Sequence, residues 1–446
     1  KTGANKLTLS GNVTLAGDII AEEGTLQLNG TADVEALHLN SADADSPAVI
    51  GVGGRATART LAGGDNGGKL DIASSGTLTL TGATDGLSHT EIAGTGTLAI
   101  AEGASLGLAA DSTLSGVVLD LDGSLSLEAD GSAGGLNGSG SLELNGQTLQ
   151  IQAASGQTHT YEGTLGEGTL DVSGAGTQVL RSSGADTGLT ISGGNLVLQG
   201  KADVDGARLS YGNLVNSSNL TIQASDNSLT AVNTTLSVEN ASFSSGSSTT
   251  FTLNTDADMT ASFIEASGDV VIEDGASFHV TSIPDVNITW KSGNPMELTL
   301  MELTGDGTID LGENTLTVGG LFLTYYKNAH LVQEGDKVVL KAEEQTDNVY
   351  AGVADTANSM AGANLLWDAA RHGSIDQAVT DFLGALNNDM LNNPSAARRS
   401  LAAAAGSTVN ALGTAQKDAL RDQMGWIRNR TTLMGVNPAY VNDDLP

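Results

Sequence analysis

A short pentad, Gly-[Ser/Thr]-Leu-x-[Leu/Ile/Val], recurs along the first 200 residues of this 446-residue chain. Its copies occupy residues 24–28, 76–80, 96–100, 123–127, 140–144 and 168–172, with a looser copy at 194–198. From Gly76 to Gly194 the intervals are 20, 27, 17, 28 and 26 residues. One turn of a parallel β-solenoid takes about 20 to 30 residues. The spacing therefore predicts a solenoid, and we interpret each interval as one turn.

Each pentad has the alternation of a short strand, because every second residue is apolar and the intervening residues are polar. The flanking glycine provides a backbone conformation suited to the corner. A single turn cannot bury its apolar side, so successive turns must stack. The leucines expected to point inward are Leu26, Leu78, Leu98, Leu125, Leu142, Leu170 and Leu196. The alternative is an antiparallel sandwich, but close hairpin signals such as Asn-Gly are sparse.

Composition agrees with a thin, layered core. The chain has 58 glycines, 3% aromatic residues and no cysteine. The absence of cysteine excludes disulfides and cysteine-ligated zinc.

The formal net charge of −33 excludes nucleic acid as a partner, because phosphate binding requires basic side chains. Residues 1–345 contain 12 Lys and Arg against 42 Asp and Glu, whereas residues 346–446 contain 7 against 10. This asymmetry indicates two modules.

The predicted fold is all-β, a right-handed single-stranded parallel β-helix over residues 1–312, followed by an α-helical C-terminal region. Residues 313–345 are predicted to cap the solenoid, because bulky residues gather there and the last turn has no neighbour to cover it. We expect Phe322, Tyr325 and Tyr326 to shield that turn. A turn is expected at residues 334–337, before the apolar run that starts at Val338.

From residue 346 onward the apolar spacing becomes helical. Val349, Val353, Ala357 and Met360 form one apolar stripe. Residues 374–377, Ser-Ile-Asp-Gln, form a capping box for a helix through Phe382. Asn393 is a predicted N-cap, with Pro394 as the first helical residue. The segment from Ser395 to Val436 contains no proline, and we expect a long helix there.

The C-terminal segment is rich in alanine, punctuated by glycine, and closes with Ala-Leu-Arg-Asp-Gln-Met-Gly-Trp-Ile-Arg-Asn-Arg at residues 419–430. It resembles the linker that precedes the translocator barrel in type V autotransporters, and residues 409–435 carry the sequence signal. The resemblance implies a secreted or surface-displayed passenger, exported through the periplasm and anchored at the outer membrane. It also implies a twelve-stranded barrel encoded downstream of Pro446, so we expect this chain to be part of a longer precursor.

No constellation of catalytic residues is recognisable in the sequence. The serine-protease string Gly-Asp-Ser-Gly is absent, and the histidines follow no metal-binding spacing; they are His38, His89, His159, His279, His330 and His372. Four aspartate pairs could bind Ca²⁺ or act in glycoside hydrolysis: Asp43 with Asp45, Asp120 with Asp122, Asp203 with Asp205, and Asp256 with Asp258. Their repetition favours ordinary acidic loops, since a catalytic pair is needed only once. We therefore predict no catalytic, cofactor-binding or metal-binding residues, and no cofactor.

Two further motifs receive a structural interpretation. Residues 63–71, Gly-Gly-Asp-Asn-Gly-Gly-Lys-Leu-Asp, are similar to a calcium-binding nonapeptide but are out of register, so a flexible loop is expected. Thr-x-Thr triplets such as Thr77-Leu78-Thr79 suggest an ice-binding ladder only if they repeat on successive turns. We assign them to packing on an exposed strand face.

Two functions remain open. The first is an adhesin or structural stalk that contacts a host or bacterial cell-surface glycan or protein without catalysis. The second is a carbohydrate-active or other hydrolytic enzyme, with a site in residues 40–70 or 225–300. Aromatic residues gather in the second range: Phe243, Phe251, Phe263, Phe278 and Trp290. A pocket lined by Trp290 and carboxylates would favour the enzyme, but we expect the phenylalanines to fill the core.

Overall fold

The computed structural model divides the chain into two compact units. The first comprises Lys1–Ile283, Asn287–Val318 and Tyr326–Glu344, and the second comprises Pro284–Val286, Gly319–Tyr325 and Gln345–Pro446. The residues that the structure describes are 1–43, 45–184, 186–199, 208–223, 235–253, 262–282, 296–372 and 377–404.

The first unit consists of short strands. Up to residue 151 they are β1 (Lys6–Leu9), β2 (Val13–Thr14), β3 (Ile19–Ala21), β4 (Thr25–Leu28), β5 (Thr31–Leu39), β6 (Val49–Val52), β7 (Arg55–Gly63), β8 (Gly68–Ile72), β9 (Thr77–Leu80), β10 (Ala83–Leu87), β11 (Thr90–Gly94), β12 (Thr97–Ile100), β13 (Ser105–Leu108), β14 (Thr113–Ser115), β15 (Val118–Leu121), β16 (Ser124–Leu127), β17 (Gly131–Ala133), β18 (Gly135–Asn137), β19 (Ser141–Glu143) and β20 (Thr148–Ile151). The later strands are β21 (Thr158–Tyr161), β22 (Thr164–Leu165), β23 (Gly168–Val172), β24 (Thr177–Leu180), β25 (Thr187–Ile191), β26 (Asn195–Gln199), β27 (Arg208–Ser210), β28 (Leu214–Asn216), β29 (Asn219–Gln223), β30 (Thr235–Val238), β31 (Ala241–Phe243), β32 (Ser248–Leu253), β33 (Ile264–Ala266), β34 (Val270–Ile272), β35 (Ser277–Ser282), β36 (Met296–Leu303), β37 (Ile309–Leu311), β38 (Thr315–Val318), β39 (Tyr326–Glu334) and β40 (Lys337–Glu344).

These strands form three faces, and most strands pair in parallel with the strand one turn later. Face 1 holds the sheets β1-β4-β6-β8-β11-β14 and β17-β20-β23-β25-β28-β31-β34-β37. Face 2 holds β2-β5-β7-β9-β12-β15-β18, with β3 beside β5, and β21-β24-β26-β29-β32-β35-β38. Face 3 holds β10-β13-β16-β19-β22 and β27-β30-β33-β36-β40-β39. The fold is a parallel, solenoid-like all-β structure and not the antiparallel sandwich.

The inward leucines are confirmed. All seven predicted leucines are buried, the most accessible being Leu26 at 3%. Each intact pentad is also a strand, as predicted. The interpretation of the intervals as single turns is confirmed for two of the five, from 76 to 96 and from 123 to 140. It was wrong for the other three, because each of those joins pentads on different faces. Leu78 pairs with Leu98 on face 2, whereas Leu125 and Leu142 stack on face 3.

The turns lengthen along the chain. Leu136 pairs with Leu119, 17 residues earlier, and Ile309 pairs with Val270, 39 residues earlier. The additional residues fall between face-2 and face-3 strands. β9 and β10 are separated by Thr81 and Gly82, whereas β35 ends at Ser282 and β36 begins at Met296.

The C-terminal end of the first unit departs from parallel pairing. Strand β40 is antiparallel to both β36 and β39, and Gly335, at φ 60°, lies in the predicted turn between β39 and β40. Ion pairs join Lys341 to Glu297 at 3.1 Å and to Glu334 at 2.5 Å. The edge strand of this sheet is β39, which carries Lys327 and Glu334. Charged side chains on an edge strand discourage further pairing.

The bulky residues of the predicted cap are all buried: Phe322 at 0%, Tyr325 at 5% and Tyr326 at 1% exposure. Tyr326 begins β39 in the first unit. Phe322 and Tyr325 lie in α1 (Phe322–Tyr325) of the second unit. Their shielding of the last turn stays a prediction.

The second unit is helical. It contains α1, a 3₁₀ helix (Val349–Gly352), α2 (Ala357–His372) and α3 (Gln377–Asn392), and residues 394–404 are helical as well. The single stripe predicted from Val349 to Met360 was wrong, because the 3₁₀ helix ends before α2 begins and Met360 is 37% exposed. The break is stabilised at Thr356, whose Oγ1 accepts the Ser359 N–H at 3.1 Å.

Of the other helical predictions, one is confirmed and the rest lie partly or wholly outside the described residues. Asn393 is confirmed as an N-cap, because its Oδ1 accepts the Ala396 N–H at 3.2 Å. Helix α3 begins at Gln377, but Ser374 of the predicted capping box lies outside the described residues. The long helix to Val436 beyond residue 404, and the linker signal at 409–435, also lie outside them.

Candidate functional site

A shallow groove of about 610 Å³ is the candidate site of the first unit. It lies where face 3 turns into face 1, and residues from five successive turns line it. They are Gly146, Glu167, Gly168, Thr169, Asp186, Gly188, Gly212, Asn213 and Glu239. Of these, only Glu239 falls within the ranges where the sequence placed an alternative enzyme site.

Backbone hydrogen bonds between turns hold this corner in place. The Gly146 N–H donates to the Glu167 carbonyl at 2.9 Å, and the Leu189 N–H donates to the Asn213 carbonyl at 2.8 Å. Gly168 has φ +145°, and a Cβ there would lie 2.4 Å from the Leu144 Cβ and 2.6 Å from the Gln147 carbonyl oxygen. Only glycine fits this position, because the backbones of adjacent turns come into close contact.

Three carboxylates give the groove its chemistry. Glu167, Asp186 and Glu239 are all exposed. Exposed carboxylates accept hydrogen bonds from hydroxyl or ammonium groups, but solvent weakens each interaction. Within the described part of the chain, no group of three or more Asp, Glu or His side chains is placed to hold a metal ion.

A polar ladder continues the same corner. The Asn240 Nδ2 donates to Asn213 Oδ1 at 2.8 Å, and the Asp269 N–H donates to Asn240 Oδ1 at 2.7 Å. Asp269 Oδ1 in turn accepts the Thr308 N–H at 2.8 Å and its hydroxyl at 2.9 Å. These two bonds from Thr308 lower the pKa of Asp269 below its ordinary value. Each side chain thus ties its turn to the next.

Sequence reasoning missed this corner ladder, although a signal was present. Asn213, Asn240 and Asp269 each directly precede a face-1 strand, and Asn and Asp side chains commonly bond to nearby backbone groups. The groove itself left no such signal, because its lining residues extend from Gly146 to Glu239 in the sequence.

The histidines are dispersed, as expected. His38 lies 3.2 Å from Asp18, and His89 lies 3.1 Å from Asp111. His279 Nδ1 is 2.8 Å from Thr317 Oγ1, and burial lowers the pKa of this histidine. His330 is exposed, and nothing is described of the His372 side chain. None of the described imidazoles lies in the groove.

Among the histidines whose side chains are described, only His159, on strand β21, is buried, with 8% exposure. Its Nδ1 lies 3.2 Å from Asn137 Nδ2, and burial lowers its pKa. Beside it, the buried Gln178 donates to the Leu136 carbonyl at 2.8 Å and accepts the Leu136 N–H at 3.1 Å. This polar group fills the junction of the two face-2 sheets, so we assign it a structural role.

The aspartate pairs have local roles where they are described. Asp43 Oδ1 accepts the Asp45 N–H at 3.0 Å. Partial burial and, secondarily, Asp122 raise the pKa of Asp120 on strand β15. The other two pairs, 203 with 205 and 256 with 258, lie outside the described residues.

The expected loop at residues 63–71 is confined to residues 64–67, because β7 ends at Gly63 and β8 begins at Gly68. Its flexibility stays a prediction. The Gly67 N–H donates to the Gly64 carbonyl at 2.9 Å, and Asn66 Nδ2 donates to the Ser41 carbonyl at 3.0 Å. A Cβ on Gly67, which has φ +57°, would lie 1.6 Å from the His89 carbonyl oxygen. The glycine is needed for packing between turns.

The phenylalanines fill the core, which confirms that interpretation. Phe243, Phe251, Phe263 and Phe278 are each 0% exposed. The Phe251 and Phe263 rings are 5.1 Å apart, and the Phe243 and Phe278 rings 5.5 Å apart. Trp290, the expected marker of an enzyme pocket, lies outside the described residues.

No protein-family model matches the chain, and no curated protein is significantly similar to it. Among the described helices, none has both the length and the apolar character needed to cross a bilayer.

Proposed function

We propose that this chain is the passenger of a type V autotransporter, acting as an adhesin or structural stalk through non-covalent contacts. The observation that carries the proposal is the parallel ladder itself, in which each turn presents short, shallow, mostly polar outward positions. In this proposal the solenoid is a right-handed, single-stranded β-helix. The helical segment after it leads to an outer-membrane barrel downstream in the same precursor.

Shallow faces favour adhesion over catalysis. Catalysis requires unlike groups held together at a concave, partly dry place, whereas the three carboxylates of the groove are exposed to solvent. A shallow contact gives modest affinity, but many copies on one cell multiply it. The partner is a glycan or protein of a host or bacterial cell surface. The charge of −33 disfavours nucleic acid.

The proposed location is the cell surface or the extracellular medium, reached through the periplasm. The supporting features are the solenoid, the absence of cysteine from the sequence, and the resemblance of residues 409–435 to a translocator linker. A chain that crosses an oxidising compartment before folding is better without cysteines.

Surface display tests this proposal. Cells that carry the full precursor are compared with cells that carry only the downstream barrel, on host-cell monolayers and in bacterial aggregation assays. We expect stronger adhesion by the full precursor. Equal adhesion, together with equal exposure of other surface molecules, would reject both the adhesin and the stalk, because a stalk changes what the cell surface exposes.

The groove supports a second candidate, a glycoside hydrolase. Paired carboxylates are the usual catalytic groups of that class, and Glu167, Asp186 and Glu239 line one groove. Purified chain would be screened for hydrolysis of a polysaccharide panel. Loss of turnover in the Glu167→Gln, Asp186→Asn or Glu239→Gln variant, with unchanged folding, would establish the enzyme and reject the adhesin as the sole function.

A further inference from the structure

The later sheet of face 2 contains no charged residue. Its strands β21, β24, β26, β29, β32, β35 and β38 include no Asp, Glu, Lys or Arg. The rest of the chain is strongly acidic, with a net charge of −33. Among the six sheets that the structure describes, each of the other five includes at least one charged residue, so this seven-stranded sheet differs from them in having none. We call its outward-facing side chains the neutral face.

The parallel register aligns the outward side chains in two files across successive turns. The first file is Thr158, Thr177, Asn195, Asn219, Ser248, Ser277 and Thr315. The second file is Thr160, Val179, Val197, Thr221, Thr250, His279 and Thr317. Most of these side chains are half-buried or exposed, and neighbouring strands lie about 4.8 Å apart. The neutral face is thus a regular lattice of hydroxyl, amide and small apolar groups.

Much of the hydrogen-bonding capacity of this lattice is free. The hydroxyls of Thr158, Thr221 and Thr250 make no side-chain hydrogen bond to any residue that the structure describes. Other positions bond along the files, as where His279 Nδ1 lies 2.8 Å from Thr317 Oγ1. Free hydroxyls can both donate and accept.

The earlier sheet of face 2 is different, although it belongs to the same face. It carries Asp33 and Arg55, and an exposed ion pair joins Arg59 to Glu35 at 2.8 Å. The absence of charge is therefore a property of the later turns and not of face 2 as a whole.

We infer that the neutral face binds a neutral, hydroxyl-rich polysaccharide. An anionic polymer is repelled by this protein, and a cationic one is attracted to its acidic corners instead. A second copy carries the same net charge and is repelled too, whereas an uncharged polymer is not. Its hydroxyls match a lattice of groups that donate and accept. The inference rests on the proposed adhesive function and names the partner of its contact face.

Binding of purified chain to immobilised dextran, mannan and galactan tests the inference. The key variant replaces two register partners, Thr221→Val with Thr250→Val, which removes hydroxyls and keeps the β-branched shape. The matched control is Thr57→Val with Thr79→Val, two register partners on the earlier sheet of the same face. We expect retention on at least one polysaccharide. We expect roughly tenfold weaker binding in the key variant, and none of this change in the control.

Salt provides a second measurement. Binding through uncharged groups should have nearly the same affinity at about 0.05 M and about 0.5 M NaCl, because screening acts only on charges. The inference is overturned if none of the three polymers retains the chain, or if both double variants weaken polysaccharide binding equally. It is also overturned if the chain binds no polysaccharide but associates with itself, and the key variant alone abolishes that self-association. Adhesion of cells that display the unchanged chain separates the two proposals. If purified chain does not bind the polymers but cells still adhere, the polysaccharide inference fails and the adhesin stands.

Discussion

The first and last turns of the solenoid end differently. At the N-terminal end, Leu7 is 45% and Leu15 is 44% exposed, although Leu7 pairs with the buried Leu26. At the other end, the antiparallel strands β36 and β40 pair, and Leu298 and Leu340 are 0% exposed. A parallel ladder leaves apolar side chains uncovered wherever a further turn is missing. The reversed hairpin continues the sheet on face 3 only, and the last strands of the other two faces, β37 and β38, keep their apolar side chains half-buried.

The cores of the two ends differ as well. In the turns before Tyr161, the buried hydrophobic residues are all Leu, Ile, Val or Ala. The later, longer turns bury Phe243, Phe251, Phe263 and Phe278. Aromatic rings fill more volume per residue, so longer turns are accompanied by larger core side chains.

Removing a ring from the later core should have the largest effect. We expect Phe278→Ala to destabilise the turns around β35 by about 3 to 5 kcal/mol, because the ring is fully buried against Phe243 and Phe251. Hydrogen exchange of β32, β35 and β38 measures this. Leu98→Ala is the control in the aliphatic core, and its effect should stay near β12. A loss under about 1 kcal/mol for Phe278→Ala would show that the aromatic core is not tightly packed.

A methyl group at the groove corner should have the next largest effect. Gly168→Ala forces a Cβ against Leu144 and strains a positive φ, so we expect roughly 2 to 4 kcal/mol of destabilisation. Gly188 lines the same groove, but a Cβ at that position would meet no atom closer than 3.5 Å. The control variant Gly188→Ala should therefore be tolerated. Thermal unfolding of both variants compares them. Equal effects would contradict the assigned contact.

The open N-terminal end should tolerate substitution. We expect Leu7→Ala to cost under about 1 kcal/mol, because its side chain is already 45% exposed, whereas Leu26→Ala should cost about 2 to 5 kcal/mol. Amides of β1 should also exchange faster than those of β36 and β40. Better protection of β1 would contradict the comparison of the two ends.

The smallest expected effect is the pH response of the corner ladder. The pKa of Asp269 is lowered by its bonds from Thr308, so it contributes stability above its ordinary value of 3.8. This contribution is lost as pH falls through the lowered pKa of the folded state. Asp269→Asn keeps an acceptor oxygen but does not titrate. We expect amide hydrogen exchange of β37 to accelerate at acidic pH more in the natural chain than in the variant. An identical response of both proteins to acid would show that Asp269 does not stabilise this turn.

Local alternation predicted the strands well. Leu78, Leu98 and Leu170 are buried because a strand with one apolar side has only one way to bury it. The N-cap at Asn393 was predicted for a similar reason, since a capping side chain and Pro394 act on the adjacent backbone. The stripe from Val349 to Met360 failed because apolar spacing alone did not register the capping interactions that start a new helix at Thr356.

The sequence by itself determined which residues form strands, which of their sides are apolar, and which strands carry no charge. Those properties follow from the chemistry of neighbouring residues. Only the tertiary structure decided which strand stacks on which face, because a Gly-Thr-Leu pentad fits any of the three faces equally well. Stacking depends on the number of residues around each complete turn, from 17 to 39. That non-local register brought Gly146 and Glu239 to one groove, and aligned Thr221 with Thr250 on the neutral face.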